Sequence, residues 1–139
     1  MNESVQIAHL TMLQTVISRM GANSFTLKAL SATFGSAAIA VMASVQKPSI
    51  YYAVSAVIPI VIFWLMDAQY LRYEHGYRRL FDHVRKGEEI EAYDLNAEPF
   101  MSDLKPILRL AVSWSVGPFY IAILVGLGTV AMLIHGGAK

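Results

Sequence analysis

The chain contains no cysteine, which excludes disulfides, thiolate metal sites and cysteine nucleophiles. Charge is scarce as well: Asp, Glu, Lys and Arg make up 15% of the 139 residues, against about 25% in an ordinary soluble domain. There is no P-loop and no glycine-rich phosphate cradle. The four histidines, His9, His75, His83 and His135, lack metal-ligand spacing; His75 and His83 are eight apart with no partner histidine at i+4. No Ser/His/Asp arrangement is recognisable. A non-enzymatic protein without a metal or cofactor is therefore expected. A cleavable signal peptide is not expected, because a mixed amphipathic stretch containing Glu3 precedes the first apolar run where a short basic region would stand.

What the chain has instead is apolar length: 55% of its residues are hydrophobic and its mean hydropathy is +0.47. Two apolar runs, 27–45 and 50–66, flank the turn Gln46-Lys47-Pro48-Ser49. Each carries one charge at the same distance from that turn: Lys28 and Val45 bound 18 residues on one side, Ile50 and Asp67 bound 18 on the other. At a rise of about 1.5 Å per residue each arm is roughly 27 Å long, close to the hydrocarbon thickness of a bilayer. The pattern reads as a transmembrane helical hairpin with an opposite-charge pair at one rim.

The expected architecture is an all-α integral membrane protein. Residues 1–24 form an amphipathic helix, 25–71 the transmembrane hairpin, 72–106 a cytoplasmic helix and acidic linker, and 107–139 a third transmembrane segment and tail. In the first of these, Leu10, Leu13, Val16, Ile17 and Met20 recur at helical intervals, while Gln6, His9, Gln14, Ser18 and Arg19 occupy the other face. Gly21-Ala22-Asn23-Ser24 is read as the C-cap of that helix and the N-cap of the next. The first span carries a face of small residues: Ala29, Ala32, Ser36 and Ala40, with Gly35 beside them. Small faces let backbones approach in lipid, either against the second span or between subunits or toward a pore.

The second span continues past Asp67. Its tyrosine stripe and the ladder Glu74, Arg78, Asp82, Lys86 predict one helix of about 36 residues, with i,i+4 pairs Glu74–Arg78, Arg78–Asp82 and Asp82–Lys86 worth about 0.2–0.5 kcal/mol each. Gly76 is its weak point and Gly87 its stop. Residues 87–106 read as an acidic irregular linker. Of the third apolar run, 107–134, the expected span is Leu110–Ile134, with Gly117-Pro118 interrupting it and Arg109 at the headgroups. Nine Lys and Arg residues fall on the side of the N-terminus and the long loop, against Lys47 and Lys139 on the other. The positive-inside rule then makes the N-terminus cytoplasmic and the C-terminus periplasmic, in a bacterial inner membrane.

Two constellations stand out. Lys28 and Asp67 form either a salt bridge that fixes hairpin register or a gating element whose pair breaks on activation. Arg72, Arg78, Arg79, Arg85 and Lys86, interleaved with tyrosines, follow from the positive-inside bias and also suit an anionic ligand: a nucleotide, an oligonucleotide or a lipid headgroup. No ionisable residue lies between Lys28 and Asp67 in the hairpin spans, which disfavours a proton-coupled transporter. Three spans hardly enclose water, so conduction requires a homo-oligomer.

Three stretches carry a resemblance. They are His9–Gln14 running on to Arg19-Met20 and Asn23–Lys28; Phe63–Arg72 continued by Glu74 and Arg78–Arg85; and Ser113–Tyr120. Together they resemble small bacterial antiphage-defence membrane effectors: the two-transmembrane, SLATT-like effectors linked to nucleotide signalling and the channel subunit of Hailong systems. Asn23, Lys28, Trp64, Asp67, Tyr70, Arg72, Glu74 and Arg78 match the recurring residues, while Met66, Gln69 and His75-Gly76 depart from them. The resemblance implies an oligomeric effector, closed until a nucleotide signal or a soluble defence partner acts on it, that then permeabilises the membrane. The expected function is accordingly a gated ion channel or membrane-disrupting effector. The alternative is a non-conducting scaffold or accessory subunit that recruits a soluble partner.

Overall fold

In a computed structural model, which describes residues 2–45 and 49–136, the described residues form helices and turns without a strand. Two long helices, α1 (Glu3–Ser44) and α2 (Ile50–Arg85), lie antiparallel. At 42 and 36 residues they are about 63 and 54 Å long. A five-residue helix, α3 (Ile107–Ala111), and a third long helix, α4 (Gly117–Gly136), follow. α1, α2 and α4 are each long and apolar enough to cross a membrane. The turn residues Gln46, Lys47 and Pro48, and the tail 137–139, lie outside the described residues.

The hairpin has an apolar half and a polar half. α4 packs on the apolar half, where Met42, Ala56, Ile60, Tyr120 and Leu127 build a core. Outward of that core, Ile58, Val125 and Met132 stay exposed, the surface expected of helices meeting lipid. In the polar half, Leu13, Leu80 and Val84 pack together with Ala97 and Met101, which are brought back by the linker. That linker is irregular apart from a 3-10 turn at Glu98–Phe100. α2 ends as its sequence suggests. Gly87 takes φ 75°, its N–H meets the Val84 carbonyl and the N–H of Glu88 meets that of His83, the paired bonds of a Schellman cap.

Four expectations are corrected. There is no break at Gly21–Ser24, because α1 runs through it. Gly21 is helical and Ser24 turns its hydroxyl to Asp67 instead of capping a new helix. His9, assigned to the polar face, is fully buried, its Nε2 donating to the Asp94 carbonyl at 2.7 Å. The phase of the first segment is set by the returning linker, which covers a side the apolar periodicity left open. Leu110–Ile134 is not one span: the chain turns between α3 and α4. Pro118 lacks an N–H, and its ring is incompatible with a helix continuing from Trp114, while Gly117 sits so close that a Cβ there would stand 3.1 Å from the Ala111 carbonyl oxygen. Finally, of the expected ladder only Glu74–Arg78 forms, at 2.8 Å; Asp82 pairs with Arg85 at 3.3 Å in place of Arg78 or Lys86.

The small face of α1 also resolves. Only Gly35 is buried within the chain, where a Cβ would come 3.0 Å from Cγ2 of Ile123 in α4. Of the two alternatives for this face, packing within the chain holds for Gly35, while Ala32, Ser36 and Ala40 are exposed. The core line is instead Leu27, Ser31, Gly35 and Met42, about one residue out of phase with the small stripe.

Candidate functional site

The boundary between the two halves of the hairpin is occupied by a buried polar cluster. Lys28 follows Ser24 by one helical turn on α1, so both side chains face the same point on α2. Asp67 is there. Its Oδ2 accepts from Lys28 Nζ at 2.5 Å and its Oδ1 from Ser24 Oγ at 2.5 Å, and Lys28 Nζ also donates to Ser24 Oγ at 2.8 Å. The Asp67 side chain is 0% exposed and that of Lys28 is 21% exposed. A carboxylate withdrawn this far from solvent holds its charge only when paired and hydrogen-bonded, and here each oxygen has a donor. Ser31, one turn beyond Lys28, is buried too and donates back to the Leu27 carbonyl.

α4 closes the cluster from the third side. The Tyr120 hydroxyl reaches the Phe63 carbonyl at 3.4 Å. Its ring stacks on Trp64 with centroids 5.8 Å apart and planes within 7° of parallel. Trp64 in turn donates from Nε1 to the Ala111 carbonyl at 2.9 Å. That bond ties α2 to the end of α3, while Ala68 packs on Leu110 and Ala111. Trp64 is thus a strut between α2, α3 and α4. The sequence did not connect Ser24, Ser31 or Tyr120 with the Lys28–Asp67 pair. Ser24 could have been found from its i,i+4 spacing to Lys28 had α1 been read as continuous.

The five basic residues of α2 do not converge. Arg72 is half-buried, its Nη2 3.5 Å from the Met101 carbonyl and its Nε without a partner. It lines a cleft of about 620 Å³ with Gln69, Tyr73, Tyr77 and Asn96. Arg78 and Arg79 line a different cleft, of about 980 Å³, with Lys105 and Arg109. Arg85 and Lys86 lie at the far end of α2, exposed. Among the described residues no group of three His, Cys, Asp or Glu is placed to hold a metal ion; His83 pairs with Glu88 and lies 4.8 Å from the Phe100 ring.

Compared with protein-family models, curated proteins and solved structures, the chain matches none. The arrangement is two long helices, each with an apolar and a polar half, joined at the boundary by one buried ion pair.

Proposed function

We propose that the chain is a homo-oligomeric inner-membrane effector of bacterial antiphage defence, a gated ion channel opened by a cytoplasmic signal or partner to depolarise the membrane. One observation carries the reading: the small and hydroxylated stripe of α1, Ala29, Ala32, Ser36 and Ala40, is exposed on a helix long and apolar enough to span. In lipid, small residues are where helix backbones approach one another. This chain spends its own packing on the neighbouring line through Gly35. The stripe is thus free for other copies, with Thr33 and Ser36 hydroxyls available to a shared lumen. A single copy has a dry centre filled by Ile60, Tyr120 and Leu127. Because α1 and α2 continue without a hinge from the spans into the polar half, a displacement there is delivered to the spans as rigid-body motion. The buried Lys28–Asp67 pair is the element that resists it. The defence setting rests on the resemblance of the three stretches, and the inward orientation of the polar half on the Lys and Arg asymmetry.

The absence of native cysteine makes the test clean. Ser36→Cys in membranes is expected to crosslink copies under mild oxidation, and Ile58→Cys, exposed on α2, is not. Purified protein in liposomes should pass ions in some ligand state. Crosslinking at Ile58 alone, or no flux with any candidate nucleotide or partner, would overturn the channel reading. The second reading, a scaffold, is favoured by the exposed Ile7 and Met12 on the polar half, where a soluble partner would sit. It predicts partner capture without flux.

A further inference from the structure

The cleft formed by α2 and residues 103–115 has a composition that the channel reading leaves unused. Arg78, Arg79, Lys105 and Arg109 line it together with the acidic Glu74 and Asp103, four basic side chains against two acidic. Glu74 is already engaged by Arg78 at 2.8 Å. The Ser113 hydroxyl, which also lines the cleft, is buried and has no hydrogen-bond partner. A buried hydroxyl without a partner costs free energy unless something supplies one.

The cleft also stands at a defined level. α3 packs through Leu110 and Ala111 on Ala68, the residue after Asp67, so its mouth is level with the boundary between the apolar and polar halves. Beside it three apolar side chains project into open space: Trp114 is 91% exposed, Leu108 73% and Val112 67%. In water such a trio would be costly. At the edge of a bilayer it is an acyl-chain platform, with an indole at headgroup height.

We propose that this cleft holds the headgroup of one anionic phospholipid, its phosphate taken by Arg79, Lys105 and Arg109 with a hydrogen bond from Ser113, and its acyl chains lying over Leu108, Val112 and Trp114. The site rests on the membrane reading above and adds to it a lipid that fastens α3, and through Trp64 and Ala111 the start of α4, to the inner leaflet. Since Lys105 and Arg109 are exposed, their substitution removes charge without touching the core.

The test uses the full chain in nanodiscs of phosphatidylcholine with a minority of phosphatidylglycerol, followed by detergent release and native mass spectrometry of the retained lipid. Wild-type protein should retain phosphatidylglycerol. Lys105→Gln/Arg109→Gln should lower that retention on the order of tenfold or more, while Arg85→Gln/Lys86→Gln, an equal charge loss at the far end of α2, should not. Equal losses in both pairs would reduce the effect to bulk surface charge and overturn the site. Release of the lipid by excess inorganic phosphate would reassign the cleft to a soluble anion and also overturn it. A chain that never enters the nanodiscs would remove the membrane reading and the site with it. A chain that enters but retains phosphatidylglycerol no better than its variants would remove the site alone.

Discussion

Gly35 of α1 and Ile123 of α4 meet so closely that a Cβ on the glycine would lie 3.0 Å from the isoleucine Cγ2. A contact at that distance holds only if one side yields, and both residues belong to helices packed against each other in the apolar half. Gly35→Ala is expected to destabilise the bundle by about 1–3 kcal/mol through overpacking, against the modest gain in helix propensity from losing a glycine. Ile123→Ala in the same chain should restore part of the loss. Thermal unfolding of the two single variants and the double variant in detergent checks this, and independent, additive losses would mean the two side chains do not share the space.

The two partners of the buried ion pair should not be equivalent. Lys28 keeps a route to solvent and Asp67 has none. Lys28→Met leaves a buried carboxylate with Ser24 as its only side-chain donor, a loss in the range of about 3–5 kcal/mol. Asp67→Asn leaves an ammonium that can turn outward, so the loss should be smaller. Lys28→Met/Asp67→Leu should recover most of the stability of Lys28→Met, because no unpaired charge remains. Denaturation of the purified proteins provides the ranking; a larger loss for Asp67→Asn than for Lys28→Met would contradict the burial argument. If the pair also gates, the same double variant should conduct without a signal.

Gly76 explains how the linker docks. A Cβ there would come 2.9 Å from both Cγ and Cε of Met101, so the glycine is a seat for that side chain. Gly76→Val should leave α2 helical while lifting residues 97–101 off it, exposing the linker to limited proteolysis several-fold faster than in wild type. Met101→Ala should cancel the effect of Gly76→Ala. Unchanged cleavage in Gly76→Val would show that the linker is held by Ala97 and His9 instead.

These contacts mark how far the sequence could be read. The length of α2 was legible because the tyrosine stripe and the Gly87 stop are local signals, carried by helical spacing and by backbone stereochemistry. The meeting of Lys28 and Asp67 followed from counting, since two helices leaving one turn bring equal positions level. The phase of α1 was not legible. Its apolar half is hydrophobic on nearly every side, so periodicity cannot tell the exposed line of Ala32, Ser36 and Ala40 from the core line of Ser31 and Gly35 one residue away. His9 looked polar by type and Ser24 looked like a cap, because the partners that bury them lie 85 and 43 residues distant.

Composition and spacing alone determined that this chain makes long helices, how many are apolar enough to span, and where each charge stands along them. Those properties depend on hydropathy and on a fixed rise per residue, both local. Which side of each helix faces its neighbour, that α3 is severed from α4, and that Ser24 and Tyr120 join Lys28 and Asp67 were decided only by packing. The reason is that a hydrogen bond or a close glycine contact discriminates between helix rotations whose apolar burial is nearly the same, and that discrimination exists only once a second helix is present.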